Sequence, residues 1–160
     1  MKEQKGEHPL GDMGQLILLG MFCVIWVGDS FFLRKSTFLS GYLPLYLRLI
    51  MLGLALVSGM YLFRSGHAVV SHDKRPNSLV TKGAFRYVRH PLYLASLLTY
   101  FGLTISTASL FSFALSVGIF VFYDYIAGYE EQLLEATFGG EYRNYQRRTG
   151  KWIPRIRRNH

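Results

Sequence analysis

The chain has 160 residues, half of them hydrophobic and 16% aromatic, with a formal net charge of +8 and a mean hydropathy of +0.17. That length suits one domain spanning 1–160, and a single cysteine, Cys23, excludes a disulfide framework or a thiolate metal cluster. The basicity invites a nucleic-acid reading, but the charges flank long apolar runs, and membrane topology accounts for them with no nucleic acid involved.

Residues 1–14 are mixed polar and show no period. The first apolar run is QLILLGMFCVIWVGDSFFL (15–33), and the second, LPLYLRLIMLGLALVSGMYLF (43–63), follows the short loop RKSTFLSGY. Each is about 20 residues long, which crosses roughly 30 Å of hydrocarbon as a helix. Neither has the polar stripe of a soluble core helix. The first reads as a span rather than a cleavable signal, because it is long, contains Asp29 and lacks a small-x-small site. Residues 15–63 thus form an antiparallel helical hairpin, with Cys23 expected to serve packing. Small residues four apart, Ala55 with Gly59 and Ala114 with Gly118, would admit close helix approach.

The segment 64–90 is long for a chain this size, and Pro76, Asn77 and Gly83 break any helix in it. Its short apolar patch, Ser78–Leu79–Val80, is expected to pack against something. Two further runs follow, PLYLASLLTYFGLTISTASL (91–110) and LFSFALSVGIFVFYDYIAGY (110–129). The helical pattern continues to about Phe138, breaks at Gly139–Gly140 and restarts near Glu141, and Pro154 ends the last element. The expected fold is an all-α membrane bundle of about four transmembrane helices. Six Lys and Arg residues fall in 64–90 and seven after 142, while the connection around ISTAS has none. By the positive-inside rule both termini are expected in the cytoplasm of a multi-pass protein.

Two constellations could carry chemistry. In RHPLY, Pro91 suits a first helical turn, and His90 and Tyr93 can present an imidazole and a phenol on one side. The structural alternative leaves His90 without a task and makes Arg89 an interface anchor. The second group is Asp124, Tyr129, Glu130 and Glu131. A carboxylate within a span faces protein or a wet cavity, and Asp124 and Glu131 share a helix face with Gly128 between them. Arg48 is expected to pair with Asp29 or Asp124. No ligand spacing supports a metal site.

Three segments together go further: LVTKGAFRYVRHPLYLAS (79–96), YEEQLLEATFGGEYRNY (129–145) and TGKWIPRI (149–156). In this order and spacing, over roughly 77–156, they resemble the isoprenylcysteine carboxyl methyltransferase and phospholipid methyltransferase family of membrane enzymes. The resemblance implies S-adenosylmethionine in a cytoplasmic pocket. Asn77, Ser78, Leu79, Val80 and Phe85 would line it, His90, Pro91, Leu92 and Tyr93 would form its wall, and Glu130 would bind a polar group of the cofactor. It also implies a lipophilic, membrane-embedded acceptor, with Asp124 and Glu131 on the acceptor side. Members acting on a prenylcysteine carboxylate commonly carry an arginine four residues before the Glu pair; here Ile126 stands there. The YEE spelling instead resembles the phospholipid N-methyltransferase branch, so carboxylate, amine and thiol acceptors stay open. An NADPH-dependent sterol-reductase-like protein and a non-catalytic scaffold are the remaining alternatives.

Overall fold

The computed structural model describes residues 11–72 and 78–155. Five α-helices organise them: α1 (Gly11–Val27), α2 (Leu45–His72), α3 (Pro91–Thr107), α4 (Leu110–Phe138) and α5 (Gly140–Arg148). Among the described residues the one extended contact is an isolated bridge between Val88 and Gly150, so the fold is all-α.

Among the described residues three segments are long and apolar enough to cross a membrane: Met13–Leu33, Leu45–Val69 and Leu110–Phe138. The third run of the sequence is cut short. Ala108 turns into the left-handed region at φ 53°, and its N–H closes on the Ile105 carbonyl at 3.2 Å. Ser109 then caps α4, its hydroxyl accepting from the Ser112 N–H at 3.2 Å. This leaves α3 with 17 residues, about 25 Å of helix against roughly 30 Å of hydrocarbon. It is also well enclosed, with Ala95, Leu97, Tyr100, Gly102 and Thr104 buried. About four spans were expected; among the described residues three helices meet the length and composition of one.

α2 and α3 pack through small residues. A Cβ on Gly102 would lie 2.7 Å from that of Ala55, and one on Gly59 would lie 3.1 Å from the Ala95 carbonyl oxygen. The Ala55–Gly59 pair therefore does admit close approach. Gly118 does not: a Cβ there would meet nothing within 4 Å. Phe22, Leu97, Tyr100, Ile119 and Tyr123 join α1, α3 and α4 in one apolar cluster. The outer faces of α1 and α2 are apolar and exposed, as a hydrocarbon solvent permits. Cys23 lies on that outer face rather than in the packing expected of it.

Neither partner expected for Arg48 is the one it has. Its guanidinium donates to the Ser106 carbonyl at 2.8 Å and the Leu43 carbonyl at 3.2 Å. Asp29, 2% exposed, accepts from the Ser36 N–H at 3.1 Å, the Ser109 hydroxyl at 2.6 Å and the Ser36 hydroxyl. Short-range hydroxyl and amide donors satisfy this carboxylate without a counter-charge, and they tie the π-helical end of α1 (Gly28–Leu33) to the start of α4.

At the opposite end the chain doubles back. Gly139, at φ 52°, reverses direction after α4. α5 and the residues after it then run antiparallel along α4, as successive pairs show: Arg143 with Glu135, Gln146 with Glu131, Lys151 with Asp124. The segment before α3 is clamped to this return strand. The Arg89 N–H donates to the Gly150 carbonyl at 2.9 Å and the Tyr145 hydroxyl to the Phe85 carbonyl at 2.6 Å.

Candidate active site

The site forms where α3 begins and α4 leaves the bundle. Pro91 occupies the first turn of α3, where its missing N–H costs nothing, and His90 sits just before it. That entry angle turns the imidazole toward α4. His90 Nε2 lies 3.0 Å from Glu131 Oε1, and Nδ1 lies 3.7 Å from Glu130 Oε2. Tyr93, three residues on, stacks on His90 at 5.8 Å and donates to Glu130 at 2.5 Å. The imidazole and phenol thus share a side, and both carboxylates of the Glu pair face them.

Glu131 is held more firmly than its neighbour. Arg89 donates to it in a fork, Nε at 2.8 Å and Nη2 at 3.2 Å, and Gln146 approaches at 3.4 Å. The remaining donor of Arg89, Nη1, reaches the Thr149 carbonyl at 2.6 Å and the Gln146 carbonyl at 3.3 Å. With side chains 11% and 13% exposed, Arg89 and Glu131 form a nearly buried, bidentate pair. Sequence reasoning read Arg89 as a membrane anchor and missed this role, because its partners lie 42 and 60 residues away.

Beside the cluster lies a cavity of about 190 Å³ lined by Ser78, Leu79, Val80, Phe85, Arg89, Leu134, Phe138, Tyr142 and Tyr145. This is where the apolar patch of the loop packs. Burial pushes the Tyr142 and Tyr145 phenols above their ordinary value, keeping both neutral. Of the residues expected in one pocket, Ser78, Leu79, Val80 and Phe85 line the cavity, while His90, Tyr93 and Glu130 form the polar cluster next to it. Arg89 belongs to both. Pro91 and Leu92 turn elsewhere: each packs against Gly66 of α2. Asn77 lies outside the described residues.

Asp124 is engaged by the returning tail. Lys151 Nζ pairs with it at 2.6 Å, and Trp152 Nε1 donates to the same oxygen at 2.8 Å. Trp152 is set against His90 at 5.9 Å and Phe120 at 5.7 Å, so this contact closes an aromatic layer over the imidazole. Asp124 and Glu131 do share a face of α4, but each is bound by a different group. Neither Lys151 nor Trp152 was singled out in the sequence; their charge and ring gain meaning only from the fold-back.

A buried imidazole between carboxylates, walled by aromatic rings and adjoining an apolar hollow, suits a small reaction needing dryness and one proton acceptor. The profile of the phospholipid methyltransferase family matches residues 47–141. The cobalt-zinc-cadmium resistance protein CzcN of Cupriavidus metallidurans is 35% identical over 114 residues, 71% of this chain and 51% of that protein. The methanethiol S-methyltransferase of Pseudomonas deceptionensis is 35% identical over 75 residues, 47% of this chain and 28% of its own. Its namesake in Crocosphaera subtropica is 29% identical over 157 residues, 93% of this chain and 54% of its own. The chain spans about half or less of the length of these relatives. The family match covers more than half of the chain and contains α3, α4 and the whole His90–Glu130–Glu131 cluster: the chain belongs to the phospholipid methyltransferase family.

Proposed function

We propose that this protein is a membrane methyltransferase that moves the methyl group of S-adenosylmethionine to a lipophilic acceptor, a small thiol foremost. The observation that carries the reading is His90 held against Glu130 and Glu131 beside a ring-lined cavity, inside the family-matched stretch. The residues present fit the cofactor. In the cavity Phe85, Phe138, Tyr142 and Tyr145 offer faces for a heteroaromatic base and Ser78 a hydroxyl, and in the polar cluster beside it Glu130 offers an acceptor for ribose hydroxyls or an ammonium. When bound, the cofactor supplies an electrophilic methyl on a sulfonium, so no covalent enzyme nucleophile is needed.

The chain's own part is alignment, dryness and a place for a proton. Methylation of a thiol joins sulfur to carbon, breaks the donor's carbon–sulfonium bond and releases one proton. The His90 ring lies between two carboxylates, with Nε2 3.0 Å from Glu131 and Nδ1 3.7 Å from Glu130. The proton released from the thiol passes to this imidazole–carboxylate cluster, directly or through one water. The Trp152, Tyr93 and Tyr123 rings keep bulk water from it. Ile126, 1% exposed, supplies no cation for an acceptor carboxylate, which favours a thiol or amine. The relatives named for methanethiol support the thiol; the family's phospholipid name supports amine N-methylation as the second reading.

Titration calorimetry with S-adenosylhomocysteine tests the pocket. Wild type is expected to bind, and His90→Ala and Glu130→Gln should each bind about tenfold more weakly or worse. Unchanged affinity in both variants refutes the pocket. Turnover of methyl-labelled S-adenosylmethionine with a methanethiol homologue, an amine phospholipid or a prenylcysteine then separates the acceptor classes.

A further inference from the structure

We propose that the arginine cleft between α5 and the chain after it binds the phosphate of an anionic phospholipid headgroup, as a resident lipid rather than as methyl acceptor. The cleft measures about 410 Å³ and is lined by Arg89, Arg143, Gln146, Arg147 and Arg155. Arg143, Arg147 and Arg155 are exposed yet border one hollow, because Arg143 and Arg147 stand one turn apart on α5 and Arg155 folds back to donate to the Arg147 carbonyl at 2.6 Å.

The charges in the cleft do not cancel. Arg89 is neutralised by Glu131, and Arg143 meets the exposed Glu135 at 3.5 Å. Among the described residues no carboxylate lies within ion-pair distance of Arg147 or Arg155. Arg147 is steadied instead by the neutral Asn144 side chain at 2.5 Å. Two guanidinium groups without a counter-charge, sharing one hollow, match a phosphate, which their planar donors grip in pairs.

The level of the cleft selects a lipid over a dissolved phosphate. Since α5 returns along α4 with Gln146 beside Glu131, Arg147 lies at the height of Glu131 and of His90, where α3 begins. From Glu131 to the start of α4 at Leu110 the helix covers about 31 Å, close to the roughly 30 Å of a hydrocarbon core. The cleft therefore sits in the plane where headgroups lie, at the basic end of the bundle. Through Arg89 it shares a wall with the carboxylate cluster, so an occupied cleft would hold the return strand against the site.

Full-length protein in an uncharged detergent tests this, titrated separately with dihexanoyl phosphatidylglycerol, dihexanoyl phosphatidylcholine and inorganic phosphate while the melting temperature is followed. Saturable stabilisation is expected with the anionic lipid, with little from the zwitterionic lipid or from phosphate. The double variant Arg147→Gln/Arg155→Gln should bind the anionic lipid roughly tenfold more weakly or worse. Equal stabilisation by inorganic phosphate overturns the lipid assignment, and equal stabilisation by the zwitterionic lipid overturns the charge argument. Unchanged affinity in the double variant overturns the cleft. The pair Arg147→Lys/Arg155→Lys, which keeps both charges, should bind more tightly than the glutamine pair; equal weakness in the two would also sink the proposal. None of these readouts depends on methyl transfer.

Discussion

Asp124 and Glu131 look interchangeable in the sequence, two carboxylates on one face of a membrane helix, yet they hold different things. Glu131 grips Arg89 and His90, while Asp124 grips the tail through Lys151 and Trp152. Glu131 is thus a positioning residue for the imidazole, and Asp124 positions the ring that covers it. Loss of the charge at 124 should loosen Trp152 over His90 and admit water, leaving the cavity of Ser78–Val80 intact. Asp124→Asn is therefore expected to lower kcat about tenfold while S-adenosylhomocysteine affinity changes less than about twofold. Lys151→Met, which removes the other half of the same pair, should match it, and Asp124→Glu should recover part of the loss. A fall in cofactor affinity with kcat preserved would place Asp124 in the cofactor site instead. The histidine and the Glu pair were legible because RHPLY and YEE are motifs in their own right. Arg89 could be read equally as an interface anchor, and Lys151 and Trp152 gain their partner Asp124 only through the fold-back of the tail.

Among the elements, hydropathy located α1, α2 and α4 because lipid demands an unbroken apolar stretch, and it placed the break at Gly139–Gly140 because glycine there permits a positive φ. The connection between α3 and α4, expected around ISTAS, falls there: Ala108 enters the left-handed region and Ser109 caps the next helix. Small-residue spacing was informative on one helix and not on another for a geometric reason: Gly59 faces α3, whereas Gly118 faces open space. The seam is sharpest at Gly102, where an added methyl would meet Ala55. Gly102→Ala should cost about 1–3 kcal/mol by overpacking. Gly118→Ala should be neutral or slightly stabilising, since alanine is the better helix former. Thermal melts of both variants in one detergent check the contrast, and equal melting temperatures would show that the α2–α3 approach is not this tight.

At the scale of the whole molecule, one side chain touches three parts of the site at once. Arg89 precedes α3, pairs with Glu131 on α4, and donates to two carbonyls of the return strand at Gln146 and Thr149. Lysine cannot copy this. It keeps the charge but has a single ammonium, so it can hold the carboxylate or the strand and not both in the same fork. The helices themselves rest on apolar seams of which Arg89 is not a member, so Arg89→Lys should leave them in place and release the segment from Gln146 to Trp152. Hydrogen exchange is the direct measure: faster exchange is expected at the N–H groups of Arg89 and Thr149, with rates inside α3 little changed. The stability lost should be about 1–3 kcal/mol, the range for charge-assisted hydrogen bonds to buried groups. Because Trp152 departs with the strand, turnover should fall together with protection of the tail. Tail protection equal to wild type in Arg89→Lys would mean that the bridge at Val88–Gly150 and the Tyr145–Phe85 bond suffice to hold the return strand. Arg89 would then serve Glu131 alone.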